Sequence, residues 1–165
     1  MIAAIVLGPR VGRGIGTGRV RAGLLVFGLG LILSATLTPS AEAIRSGAVG
    51  SGTCDLSRFG PPRLREILSL EDPGFNILLF LPLGLAIGSI PGRRERFALL
   101  GAALLLSPAI ELIQLVVRPL DRACQSSDVF DNLTGLVVGV LLGTVAGWIW
   151  VHLSPADEDP AVSDP

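Results

Sequence analysis

Charge is scarce in this sequence. Asp, Glu, Lys and Arg make up 16% of its 165 residues, against about a quarter in a typical soluble domain. Lysine is absent, so all 13 basic residues are arginine. There is no basic stripe with interleaved aromatic residues, which argues against a nucleic-acid-binding protein. The formal net charge of −1 says little about partners.

Nucleophiles and metal-ligand spacings are also rare. The single histidine, His152, is expected at the membrane face opposite the polar residues described below. No residues show metal-ligand spacing, so we expect no metal and no cofactor, although Glu111, Asp128 and Asp131 offer oxygens that could weakly hold a hard cation. The glycines between residues 12 and 18 do not fit a dinucleotide fingerprint. Residues 1–21 are predicted to be a disordered Arg/Gly-rich leader.

What the sequence does contain is long apolar runs, at residues 22–37, 75–90, 97–117 and about 129–153. They predict an all-α bundle of four transmembrane helices over residues 22–153, followed by a disordered acidic tail, 154–165. The first two runs are short, because a bilayer span needs about 20 residues. An alternative for the first run is a secretory signal peptide, since residues 41–43 read Ala-Glu-Ala.

The arginines predict the orientation of this bundle. Seven arginines fall on the side of the N-terminus and six on the other. The cluster before the first run and the Arg-Arg-Glu-Arg hairpin at 93–96 lie close to spans and decide the orientation. Both termini are therefore predicted in the cytoplasm of a bacterial cell, with Trp148 and Trp150 at the inner interface of the plasma membrane.

Two features of the predicted outer loops follow from this topology. The segment 61–70 has Leu64, Ile67 and Leu68 on one helical face, which predicts a short interfacial helix or a loop helix packed on the bundle. Cys54 and Cys124 fall in different outer loops of an oxidising compartment, so a disulfide between them is expected, with two unpaired thiols as the alternative.

Polar residues interrupt three of the four runs at similar depth. Glu111 is predicted about 9 Å below the outer boundary and Asn132 about 6 Å into the last helix. Intramembrane ionisable groups usually face a partner or a wet cavity. We therefore predict an outer-leaflet pocket, with Glu111 and Asp128 as candidate catalytic residues. Its ligand-binding residues would be Asn76, Gln114, Arg122, Asp131 and Asn132.

Structural roles are the alternative for the same residues. Asp128 suits a helix cap or first turn, and Gln114 and Asn132 could form hydrogen bonds between helices. Pro108 and Pro82 could kink their helices and free backbone carbonyls. Glycines recur every fourth residue in the last run, which favours close approach of another helix: Gly135, Gly139, Gly143 and Gly147.

Four motifs occur in order along the chain: ATLTPS, NILLFLPLG, IELIQ and RACQSSDVFDNLTG. Together they resemble the VanZ-like family of membrane proteins over roughly residues 24–150. Ten residues match the family pattern: Asn76, Phe80, Pro82, Gly84, Glu111, Gln114, Arg122, Asp128, Asn132 and Gly135. Many members carry an acid three residues after the arginine, where this chain has Gln125, and Asp131 lies outside the pattern.

The resemblance implies an integral membrane protein, and some members are linked to resistance against teicoplanin-type antibiotics. It brings no established chemistry. We expect the pocket to bind, or to bind and modify, a cell-envelope lipid or wall precursor. In the second case Glu111 would be the general acid or base and Arg122 would hold a phosphate. The alternative is a non-enzymatic membrane scaffold or subunit. A small transporter is a weaker third class, because no inverted repeat is present.

Overall fold

Four long helices form the framework of the chain. The computed structural model describes residues 18–63 and 72–153. The helices are α1 (Arg19–Leu37), α2 (Ala41–Ser46), α3 (Asp72–Gly88), α4 (Arg93–Val116) and α5 (Ser126–Leu153). Two short strands, β1 (Cys54–Asp55) and β2 (Cys124–Gln125), form a parallel pair, and a 3-10 helix covers Arg118–Leu120. The chain is thus mostly helical.

Three of these helices, α1, α4 and α5, are long and apolar enough to cross a membrane. The apolar helix α3 has 17 residues, about 26 Å at 1.5 Å per residue, against roughly 30 Å of hydrocarbon. Large apolar side chains cover the exterior of the long helices, among them Leu105, Val116 and Val151, each about 70% exposed. Apolar surface on this scale fits contact with lipid.

The short helix α3 lies in the middle of the bundle and packs against both α1 and α5. Its Phe80, Ala86 and Ile87 are almost completely buried, while Phe75 and Leu78 nearer its start are about half exposed. On the α1 side, a Cβ added at Gly28 would lie 2.9 Å from the backbone nitrogen of Leu83, which marks a close approach.

Glycines bring α3 and α5 into backbone contact. A Cβ added at Gly135, Gly139 or Gly143 would collide with the α3 backbone, and one at Gly84 or Gly88 would collide with the α5 backbone. The fourth glycine of the predicted series, Gly147, is less tightly packed, since its nearest neighbour would be the Cα of Ser89 at 3.6 Å. The two helices are therefore closest from the third to about the fifth turn of α5 and separate toward its end.

Some boundaries differ from those expected from sequence. Helix α1 begins at Arg19, so the last three residues of the predicted leader are helical, and α5 begins at Ser126 rather than near residue 129. Both prolines, Pro82 and Pro108, lie inside continuous helices. Residues 1–17, the tail 154–165 and most of the predicted interfacial helix (64–71) lie outside the described residues. Earlier in the same loop lies α2, which Ser40 caps at its N-terminus.

Candidate functional site

One end of the bundle contains a cavity of about 210 Å³ between the helices. The C-terminal ends of α1 and α4 meet the N-terminal ends of α3 and α5 there. Six residues predicted from sequence line it: Asn76, Glu111, Gln114, Arg122, Asp128 and Asn132. Six others complete the lining: Ala35, Thr36, Phe75, Leu79, Ala123 and Gln125.

The wall formed by α4 and β2 is built around Glu111. This side chain is 6% exposed, and its Oε2 accepts a hydrogen bond of 2.8 Å from the backbone N–H of Gln125. Gln125 stands where many relatives of the family resembled above carry an acid, and its backbone rather than its side chain holds Glu111. Asp128 lies in the first turn of α5, where an acid is favourable to the helix dipole.

Two amide side chains join helices across the cavity while keeping an acceptor unused. Gln114 Nε2 donates to the carbonyl of Thr36 at 3.0 Å, and Asn132 Nδ2 donates to Ser107 Oγ at 3.1 Å. Both side chains are more than nine-tenths buried. Within residues 18–63 and 72–153, neither Gln114 Oε1 nor Asn132 Oδ1 has a hydrogen-bond partner. Since buried polar atoms are nearly always satisfied, these two oxygens point to a missing donor.

Arg122 brings the positive charge of the site. Its Nε donates to the carbonyl of Thr38 at 3.1 Å, at the end of α1, rather than to Glu111. This bond leaves the terminal nitrogens of the guanidinium available at the half-buried edge of the cavity. Glu111 and Arg122 are therefore each held by a backbone group rather than by each other.

Asp131 does not line this cavity, and its predicted place there is corrected. It is 1% exposed, and its Oδ2 lies 2.5 Å from Arg58 NH2 in an ion pair. Ser126 Oγ also donates to the carbonyl of Arg58 at 2.8 Å. Arg58 belongs to a loop 73 residues before Asp131 and was not predicted as a site residue. No motif or periodicity in the sequence marks Arg58 as the partner of Asp131.

A disulfide fixes the loops that close this end of the bundle. Cys54 and Cys124 are bonded, as expected, and pair in register between β1 and β2. Gln125, the residue that holds Glu111, is next in β2 and pairs with Asp55. The N–H of Ser57 donates to Asp55 Oδ1 at 2.8 Å, and this bond lowers the pKa of the exposed Asp55 carboxyl. The disulfide therefore lies directly beside one wall of the cavity.

Comparison with known proteins identifies the family. The VanZ/LLP1 family model matches residues 25–147, well over half of the chain. The chain belongs to the VanZ/LLP1 family. No significant match was found among curated proteins or among solved structures. With its apolar helices, this VanZ/LLP1 protein is an integral membrane protein.

The ten motif residues of this VanZ/LLP1 chain divide into two groups in the structure. Six line the cavity, as described above. Phe80, Gly84 and Gly135 are buried where α3 packs against its neighbours, and Pro82 lies in the same stretch of α3. The motifs thus combine the residues that hold the helices together with those that face the space between them.

Proposed function

We propose that the protein crosses the membrane four times, with both termini in the cytoplasm, and that its cavity binds the headgroup of a cell-envelope lipid or wall precursor at the outer leaflet. The observation that carries this proposal is the pair of buried oxygens on Gln114 and Asn132, which have no partner among the described residues and lie beside the guanidinium of Arg122. A site with unused acceptors and an unused cation is complementary to a polar ligand.

The groups lining the cavity indicate the chemistry of that ligand. The cavity contains four groups that are able to accept hydrogen bonds: Gln114 Oε1, Asn132 Oδ1 and the carboxylates of Glu111 and Asp128. They favour a ligand part that donates, such as a hydroxyl, an amide N–H or an ammonium. Arg122 favours a phosphate or carboxylate at the edge. A phospholipid with a donor-rich headgroup, or a lipid-linked sugar or peptide precursor, has both parts.

The size of the cavity limits how much of such a ligand it encloses. Its volume of about 210 Å³ is below the roughly 300–1,000 Å³ of pockets that enclose a drug-sized molecule. The cavity can therefore enclose a lipid headgroup, or the terminal sugar or amino acid of a lipid-linked precursor, while the lipid chains remain in the bilayer. If the ligand is a wall precursor that glycopeptide antibiotics also bind, a role in resistance follows from the same site.

Lipidomic mass spectrometry of the purified protein tests the binding function. Arg122→Gln should lose the co-purifying lipid or precursor. Arg118→Gln is the matched control, because Arg118 also bonds a backbone carbonyl through Nε, that of Gly50 at 3.0 Å, but does not line the cavity. Equal ligand content in the two variants, or none in the wild type, would refute headgroup binding here.

Labelling from outside intact cells tests the orientation. Arg45 lies in the short helix α2 and Arg94 in the first turn of α4, and both are exposed. A cysteine introduced by Arg45→Cys should react with an impermeant maleimide, and one introduced by Arg94→Cys should react only after lysis. The reverse pattern would place the cavity at the inner leaflet.

A scaffold without ligand is the second candidate, because the polar residues also connect the helices. The bonds from Gln114 to Thr36 and from Asn132 to Ser107 join separate elements and stabilise the bundle. Glu111→Gln and Asp128→Asn separate the two functions. If both variants insert and unfold like the wild type but lose the envelope phenotype, the cavity is functional. If the variants lose the envelope phenotype only to the extent that they lose stability, the protein is a scaffold.

A further inference from the structure

A second, apolar space lies at the opposite end of the bundle. It measures about 630 Å³, which is within the usual range of ligand pockets. Helix α3 ends at Gly88 while α5 continues to Leu153, and the two have already separated at Gly147. The central helix therefore leaves a groove open between α1 and α5. Its lining includes Arg19, Arg21, Leu24, Leu85, Gly147 and Trp150.

Positive charge surrounds the entrance of this groove. Arg19 and Arg21, in the first turn of α1, line it. Arg21 also lines an adjoining space of about 250 Å³, together with Arg96 of α4 and Trp148. The acid in the first turn of α4, Glu95, lines neither space. Two helices thus contribute guanidinium groups to the rim of an apolar groove, and Trp148 and Trp150 line the same two spaces. Tryptophan is enriched at membrane interfaces.

We infer that this groove is a binding site for an anionic phospholipid, with one acyl chain between α1 and α5 and the phosphate at Arg21. The apolar floor argues against a soluble anion as the main ligand, because apolar contacts would not strengthen the binding of such an anion. The arginine rim favours an anionic lipid over a zwitterionic one, as basic pockets between helices do at cytoplasmic membrane faces. The site is separate from the cavity around Glu111.

Native mass spectrometry of the full chain in detergent can measure this binding. The probes are phosphatidylglycerol, phosphatidylcholine with the same acyl chains, and water-soluble glycerol phosphate. We expect phosphatidylglycerol to bind more tightly than phosphatidylcholine. Arg21→Gln should weaken it about fivefold, the equivalent of about 1 kcal/mol per arginine near a membrane surface. Arg45→Gln, an exposed arginine at the other end of the molecule, should not change it.

A second variant tests the apolar floor without endangering the fold. A Cβ at Gly147 would make only ordinary contacts, so Gly147→Leu should be accepted and should occupy the groove. Gly30→Leu is the control, because nothing lies within 4 Å of a Cβ at Gly30. We expect Gly147→Leu to lose phosphatidylglycerol and Gly30→Leu to retain it.

Three results would overturn the inference. Equal binding of the anionic and zwitterionic lipids would show that the arginines at the rim of the groove do not contribute to lipid selection. Competition by glycerol phosphate at the concentration of the lipid would indicate a phosphate site without a lipid. Unchanged lipid binding in Gly147→Leu would show that the groove is not occupied by the acyl chain. None of these results bears on the headgroup proposal, since Arg122 and Gln114 lie at the opposite end of the bundle.

Discussion

Replacing Gly139 by alanine should destabilise the bundle, because the backbones of α3 and α5 touch there. The added Cβ would lie 2.8 Å from Leu85 N and 2.9 Å from Gly84 Cα, and closer still to Leu81 O. Ordinary contacts begin at 3.4 Å, so the helices must separate by at least 0.6 Å (3.4 − 2.8). Overpacking of this kind costs about 1–3 kcal/mol. The higher helix propensity of alanine offsets about 0.5–1 kcal/mol of this destabilisation.

Two matched variants separate the collision from the propensity. Gly147→Ala meets its nearest atom at 3.6 Å, and Gly30→Ala meets nothing within 4 Å, so both should be neutral or slightly stabilising. The measurement is unfolding by SDS titration in mixed micelles, followed by circular dichroism at a helix wavelength. If Gly139→Ala unfolds at the same SDS fraction as Gly147→Ala, the close approach described for α3 and α5 is not real.

Two further predictions concern the loops above the cavity. Replacing both Cys54 and Cys124 by serine should lower the free energy of unfolding by about 2–4 kcal/mol, because the bond closes a separation of 70 residues. Thermal unfolding measures this loss. Adding reductant should destabilise the wild type but should have no further effect on the double variant. Asp131→Leu alone should cost about 1.5–3 kcal/mol, the range for a hydrogen bond to a charged group, because Arg58 loses this partner but is itself 31% exposed to solvent. The double variant with Arg58→Met should recover most of that loss, and a double-mutant cycle with a coupling energy near zero would contradict the ion pair.

Much of the cavity could be predicted from sequence because of where its residues stand on their helices. Asn76 begins one apolar run, Glu111 and Gln114 end another, and Asn132 begins the last. In helices that alternate in direction, such positions fall at one end. Polar groups inside apolar runs then mark the faces that turn away from lipid. Periodicity and depth are local properties, so a single sequence contains them.

The partner of Asp131 could not be predicted in the same way. Arg58 lies in a loop without periodicity, and six arginines share that side of the predicted topology. Choosing among them requires the loop path, which is set by the strand pair and by the disulfide. The glycine spacing that includes Gly135 predicts that another helix approaches closely. It does not indicate which helix does so, and the structure shows that this helix is α3.

The position of Cys124 has a practical consequence for work with this protein. Gln125, the next residue, is the backbone donor to Glu111. The covalent bond therefore holds β2, which donates to Glu111, to the first loop. In reduced protein this part of the cavity wall lacks its covalent link, and a helical spectrum does not report on that link. Ligand screens should accordingly begin from material whose thiols have been shown to be oxidised.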